Sequence, residues 1–227
     1  MTTSPINERA SAIFESKLAD YTEQYDDEIF PNWMAKDKPF PEPLSPHGIE
    51  VMWEDAAVNY CESPIEQMML AALIFASTGY GPWPMDIYFP DVPFTPPDGR
   101  IFLAPQFEFM NFRIDIAMFA KDFSGNEIRL AIECDGHNFH RTKKQMRHDR
   151  KRERTLQIHG WNVMRFTGSE IFEDAAACAE EAGEFFMEMF ERDMERTGVM
   201  DPAHHIRRLA KLGYVSPFTP TTQDNAA

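Results

Sequence analysis

The sequence predicts an α/β fold: a mixed sheet of about four strands with helices on both faces, ordered αβββαβ and followed by one more helix. Three observations predict it. Stretches between residues 101 and 166 alternate apolar and polar residues at the period of a strand. Helix-start signals and helically spaced side chains lie before, between and after them. The turn-forming run Lys121-Asp-Phe-Ser-Gly-Asn126 separates two of the strands closely enough to fold them antiparallel.

Taken in order, residues 8–30 read as an acidic amphipathic helix with Ile13, Phe14, Leu18, Tyr21 and Tyr25 on one side. Residues 31–46 are punctuated by proline and read as irregular. Residues 1–60 are therefore expected to be an extension, helical and proline-rich, ahead of a main domain over 61–200. A C-terminal helix and mobile polar tail are expected over 201–227.

The main domain opens at Ser63-Pro-Ile-Glu66. Ser63 suits the N-cap, Pro64 the first helical position, and Glu66 completes a capping box. Residues 68–76 are apolar all round, which predicts a helix buried against the sheet. Residues 80–98 carry six prolines and the aromatics Trp83, Tyr88, Phe89 and Phe94. That is too much proline for a central strand and reads as a long loop, a packed cover or a base-stacking clamp.

Residues 101–109 read as the first core strand, with Gln106 inside it. In Phe112-Arg-Ile-Asp-Ile-Ala-Met-Phe119 the alternation sets Ile114, Ile116 and Met118 against Arg113, Asp115 and Ala117. In Leu130-Ala-Ile-Glu-Cys-Asp-Gly-His137 it sets Ala131, Glu133 and Asp135 on one face and turns Ile132 and Cys134 to the core. Pairing of these strands brings Asp115 beside Glu133. Hard oxygens gathered at a strand end suit Mg²⁺ or Mn²⁺.

A helix follows over 141–159, with Leu156 turned to the sheet and Asp149 and Arg152 carried the same way. Residues 161–166 make the last strand, and 172–192 a long amphipathic helix with Cys178, Ala182, Phe185 and Met189 inward.

Net charge is −15, which argues against a generally basic nucleic-acid coat. Charge is uneven, however. Residues 141–154 hold eight Lys/Arg against two acids, a local +6, so the rest of the chain stands at −21. Such a strip can hold phosphates or be a solvated helix face. Three widely spaced cysteines imply no disulfide framework and fit a reducing cytoplasm. No signal peptide opens the chain, and its longest apolar run, 68–76, is too short to span a bilayer.

Several of these pieces occur together in a known order: Arg-Ile-Asp115, Ile-Glu133-Cys-Asp-Gly-His137, Phe-His140, Asp149-x-x-Arg152, Gly-Trp161 and Val-Met-Arg-Phe-Thr-Gly-Ser-Glu-Ile171. In that order the chain resembles the PD-(D/E)xK restriction-endonuclease-like superfamily over roughly residues 61–175. It is most similar to the branch related to very-short-patch-repair endonucleases. The resemblance implies a restriction-endonuclease-like core and Mg²⁺- or Mn²⁺-dependent endonucleolytic cleavage of DNA. The metal ligands implied are Asp115, Glu133 and Asp135, with the carbonyl of Cys134. It also adds a metal-site reading of Glu66 beside the capping one, and a contact to DNA or to metal-bound water for Gln106 beside a strand-end hydrogen bond.

The chain departs from the general superfamily two residues after Glu133, where Asp135 replaces the usual lysine. Some other cation must serve, and Lys143 is the sequence candidate. His137 or His140 is the candidate general acid or base, since imidazole titrates near neutral pH. Arg113, Lys143, Lys144, Arg152 and Arg165, with Gln106, are the expected nucleic-acid contacts. For Arg152, an ion pair with Asp149 is the structural alternative. The spacing Cys134-x-x-His137-x-x-His140, with His148 nearby, superficially suggests zinc, but the alternation turns Cys134 away from the carboxylates. Two other functions compete: a catalytically silent DNA-binding or assembly module, and an RNA-cleaving effector. A homo-oligomer is compatible with the sequence, and protein partners are not legible in it.

Overall fold

The computed structural model of the protein describes residues 5–35, 43–76, 84–89, 101–121, 127–136 and 143–197. Its architecture is a mixed α/β sheet flanked by helices, as the alternation predicts, with five strands instead of four. The helices are α1 (Glu8–Gln24), α2 (Phe30–Ala35), α3 (Pro46–Asn59), α4 (Pro64–Leu73), α5 (Lys143–Ile158) and α6 (Gly168–Thr197). The strands are β1 (Asp86–Ile87), β2 (Ile101–Phe109), β3 (Phe112–Lys121), β4 (Glu127–Asp135) and β5 (Asn162–Thr167), in the spatial order β1-β2-β3-β4-β5. The two outer pairings are parallel and the two inner ones antiparallel. The extra strand is two residues long and lies at the sheet edge, where a proline-rich neighbourhood is tolerated.

Two apolar layers cover the sheet. The larger holds Phe14, Ile49, Trp53, Leu70, Ile116, Leu130, Ile132, Cys134, Cys178 and Phe186, so α1, α3, α4 and α6 share one core with the sheet. The smaller holds Ala104, Ile114, Ala117, Ala131, Leu156 and Trp161, under α5. Strand β4 is buried on both faces, and its alternation is as expected: Leu130, Ile132 and Cys134 to the large layer, Ala131 to the small one.

Residues 31–35 and 45–46 are more regular than their prolines suggest, and residues 36–42 lie outside the described residues. Pro31 lies inside α2, which continues from α1 through a π-helical turn, Tyr25–Ile29. The π-helical turn has already broken the regular i to i−4 ladder just before Pro31, so a residue without an N–H is accommodated there. Ser45 caps α3, accepting from the Gly48 N–H at 3.1 Å. Phe14 of α1 stacks on Trp53 of α3, with centroids 4.2 Å apart. Gln67, buried in α4, joins the helices further: its Oε1 accepts from Asn7 N and its Nε2 donates to the Ala57 carbonyl.

Helix α5 ends in a Schellman turn. Gly160 adopts φ +81°, its N–H reaches Gln157 O, and the Trp161 N–H reaches Leu156 O, each at 3.0 Å. Trp161 then packs in the same cluster as Leu156, which fixes how β5 leaves the helix. Helix α6 begins at Gly168, earlier than the amphipathic stripe suggests, because Thr167 and Glu170 form a capping box. It is interrupted at Asp174 (φ −151°), whose side chain accepts from the Ala177 N–H and restarts the helix.

Of the loop over 80–98, only 84–89 are described. There Tyr88 packs edge-on to Phe119 and Phe89 against Tyr60, as a packed cover would. Residues 201–227 and the remainder of that loop lie outside the described residues.

Candidate active site

The site lies where the β3–β4 ladder stops. The last backbone-paired residues are Ile116 and Ile132. Beyond them the Cys134 N–H donates to Oδ2 of Asp115 at 2.8 Å, so a carboxylate stands in for a strand carbonyl. This places Asp115 beside Glu133, as the hairpin predicts.

Across the sheet, pairing of Pro105 with Ile116 and of Phe107 with Ile114 sets Gln106 opposite Asp115. Gln106 takes a left-handed φ of 51°, strained for a residue with a side chain. The strain shifts the alternation by one residue. Ala104 faces the α5 layer before it and Phe107 and Phe109 after it. On β3, Ala117 and Ile114 show the same shift, so Ile114 packs under α5 and not beside Ile116 as strict alternation requires. Nε2 of Gln106 donates to Oε2 of Glu66 at 2.7 Å.

Glu66 fulfils its capping reading and also lies near the acids of the strand ends. It accepts from the Ser63 hydroxyl at 2.7 Å and from the Glu62 N–H at 2.8 Å as a helix cap, and it lies close enough to Asp115 to repel it electrostatically. Glu66 and Glu133 are the two buried acids of the described core. Burial first, then repulsion by Asp115, lifts Glu133 from 4.5 to about 7, although Arg152 and Arg165 pull the other way. Burial likewise raises Asp115 and Glu66, against hydrogen bonds that favour their ionised forms.

Two guanidinium groups meet these acids. Nη2 of Arg152 lies 2.6 Å from Oε1 of Glu133 and also donates to the Arg113 carbonyl. The helix register explains this. Leu156 packs with Ala131, Arg152 lies one turn earlier on α5, and Glu133 is two residues further along β4. Arg165, opposite Glu133 in the parallel ladder, reaches Oδ1 of Asp135 at 3.6 Å. Asp135 is partly exposed, its side chain 27% accessible.

The remaining sequence candidates divide. Arg113 pairs with Glu62 at 2.5 Å on the surface, where an ion pair contributes little. The Cys134 thiol lies in the large apolar layer, where burial raises its pKa well above the ordinary value, and all three cysteines are buried and free. That removes the sulfur from any zinc reading. His137 and His140 lie outside the described residues, as do the side chains of Lys143, Lys144 and His148. The Arg152–Glu133 pair, which ties helix α5 to the acid centre, was not legible in the motif. Its only sequence signal is the helical spacing of Arg152 from Leu156.

Among the described residues, no three His, Cys, Asp or Glu side chains are disposed to hold a metal ion as they stand. No described helix is long and apolar enough to cross a membrane.

The fold is a five-stranded mixed sheet flanked by helices, with the carboxylates on the adjoining ends of a β-hairpin, and the family that its residues 100–186 match, REase_MTES_1575, is restriction endonuclease-like, of the PD-(D/E)xK kind. That span includes Gln106, Asp115, Glu133, Asp135, Arg152 and Arg165 and leaves Glu66 outside it. No curated protein and no solved structure matches the chain.

Proposed function

We propose that the protein is a metal-dependent endonuclease that hydrolyses phosphodiester bonds in DNA. The observation that carries this reading is the junction of Asp115 and Glu133 at the point where β3 and β4 separate, within a domain of this family. Buried acids that raise one another's pKa are costly to the fold, and such groups concentrate at functional sites.

The chemistry of the donors, carboxylate oxygens, suits a hard divalent cation. Among the described residues, hydrogen bonds engage Oδ2 of Asp115 and Oε1 of Glu133 and leave the other oxygen of each carboxylate open. Asp115 and Glu133 would hold Mg²⁺ or Mn²⁺, with Asp135 and Glu66 at its border. Bound there, the ion would polarise the phosphate and lower the pKa of an attacking water. The chain's own residues do the rest. The Cys134 N–H orients the Asp115 carboxylate, and Gln106 orients Glu66. Arg165 lies beside Asp135, and α5 carries the exposed basic residues Arg147, Arg150 and Lys151, positive charge that a phosphate backbone would attract.

A silent DNA-binding module is the second reading. It is favoured by the Arg152–Glu133 pair, which already satisfies the acid with an internal cation. Incubation with supercoiled plasmid and with RNA, each in Mg²⁺, Mn²⁺ or EDTA, separates the cases. Plasmid cleavage that EDTA abolishes is expected. Cleavage of RNA alone makes the protein a ribonuclease, and binding without cleavage supports the silent module.

A further inference from the structure

Position 135 holds an acid where this chemistry needs a cation, so the positive charge must come from elsewhere in the chain. Lys143, on the helix after the glycine turn, is the candidate from sequence, yet the described cations that meet the acids are Arg152 and Arg165. Resting on the nuclease reading above, we propose that Arg152 is an exchangeable counter-ion. It holds Glu133 while no divalent cation is bound, and it turns to the nucleic-acid phosphate once Glu133 takes one.

The geometry shows why exchange is favourable. The pair is largely dry, with side chains 17% and 2% accessible for Arg152 and Glu133. Buried ion pairs recover little beyond their desolvation cost, so exchanging the arginine for another cation at Glu133 gives up little, provided the carboxylate is never left unpaired. Arg152 is also underused. Its Nε is buried and has no hydrogen-bond partner, while Nη2 serves both Glu133 and the Arg113 carbonyl. A guanidinium with idle donors is completed by an anion that accepts a fork of two hydrogen bonds, and a phosphate does this. The helix need not move. Leu156 and the Schellman turn anchor α5 against the sheet, so rotation about the arginine side chain is enough.

Two cations then compete for one carboxylate, and competition has a sign that support does not. Removing Arg152 should tighten cation binding while loosening the metal-free fold, because Glu133 is left buried and unpaired. The test titrates the full chain with Mn²⁺ by calorimetry, without nucleic acid, and compares Arg152→Ala and Arg152→Gln with the parent. We expect both variants to bind Mn²⁺ about fivefold tighter or more, and to gain more melting temperature from Mn²⁺ than the parent gains.

A second arm measures the salt dependence of duplex binding with Ca²⁺ in place of Mn²⁺, and again with EDTA. Arg152→Gln should lower the slope by about one in Ca²⁺ and leave it unchanged in EDTA, since the metal-free arginine is occupied. Arg152→Gln keeps hydrogen-bonding capacity if Arg152→Ala fails to fold. Folded variants that bind Mn²⁺ no tighter than the parent overturn the proposal, and plasmid cleavage by the parent then leaves the nuclease reading standing. A slope loss that is the same in EDTA also overturns it. A parent that neither binds Mn²⁺ nor cleaves overturns both.

Discussion

The large apolar layer and the strand-end site of this molecule obey opposite rules. The large layer between α1, α3, α4, α6 and the sheet is apolar, and its buried amide, Gln67, finds partners for both ends of its side chain. The strand-end site a few residues away buries Glu66 and Glu133, places Asp115 against them and holds Gln106 in a left-handed conformation. It also leaves Gln106 Oε1, Arg152 Nε and Arg165 Nη2 buried without partners. Both regions are packed, so burial does not distinguish them. Buried charge does: the large layer also holds an unpartnered atom, Trp53 Nε1, but the buried acids Glu66 and Glu133 are both at the site. In the large layer burial stabilises the fold; at the site it costs stability, which chemistry there would explain.

The comparison breaks most sharply under Asp115→Asn and Glu133→Gln. Each keeps shape and loses charge, and each should lower plasmid cleavage by about a thousandfold or more, because a carboxamide holds a divalent ion poorly. Circular dichroism should remain that of the parent. Cleavage at the parent rate, in protein free of contaminating nuclease, would falsify the catalytic reading of these acids.

The converse change belongs to the apolar layer. Trp53→Ala removes the ring stacked on Phe14 and should cost about 3–5 kcal/mol in denaturant unfolding. Because α1, α3 and the sheet share one core, the loss should appear in a single transition. Two separate transitions, with only the first displaced, would show instead that residues 1–60 fold apart from the rest.

A third measurement follows protonation. Glu133 titrates near 7 in the fold and near 4.5 in an open chain, so the folded state binds its proton more tightly. Its stabilising contribution is complete below about 4.5 and is lost as pH rises through 7. At about 1.4 kcal/mol for each pH unit, this amounts to at most about 3–4 kcal/mol in the metal-free protein. Glu133→Gln should remove that part of the slope between pH 5 and 8. Parallel curves for parent and variant would mean that Glu133 is ionised throughout.

The smallest expected effect on stability is at Gln106. Gln106→Gly relieves the left-handed backbone by about 1 kcal/mol and loses a hydrogen bond to Glu66 of similar worth. Melting should therefore hardly change. Cleavage should fall, since Glu66 loses the donor that orients it, and a variant as active as the parent would make Gln106 a purely structural residue.

Much of this was legible in the chain because it depends on local spacing. Ser63, Pro64 and Glu66 mark a helix start by hydrogen bonds that span three residues. The alternation of Leu130 to Asp135 assigns faces by the period of a strand, and both layers agree with it. Helix α3 was missed because prolines at 31–46 mask the Ser45 cap, and the strand β1 because two residues carry no period. The phase shift at Gln106 was hidden too: left-handed backbone in a residue other than glycine leaves no compositional trace.

The sequence by itself determined the acids, their strands and the absence of a lysine after Glu133. Only the tertiary structure decided which cations meet those acids. Arg152 and Glu133 are 19 residues apart, and Gln106 and Glu66 are 40 apart. Such pairs depend on how a helix lies on a sheet and where two strands diverge. Local periodicity fixes the direction of each side chain, but it carries no information about the partner that the packing brings to it.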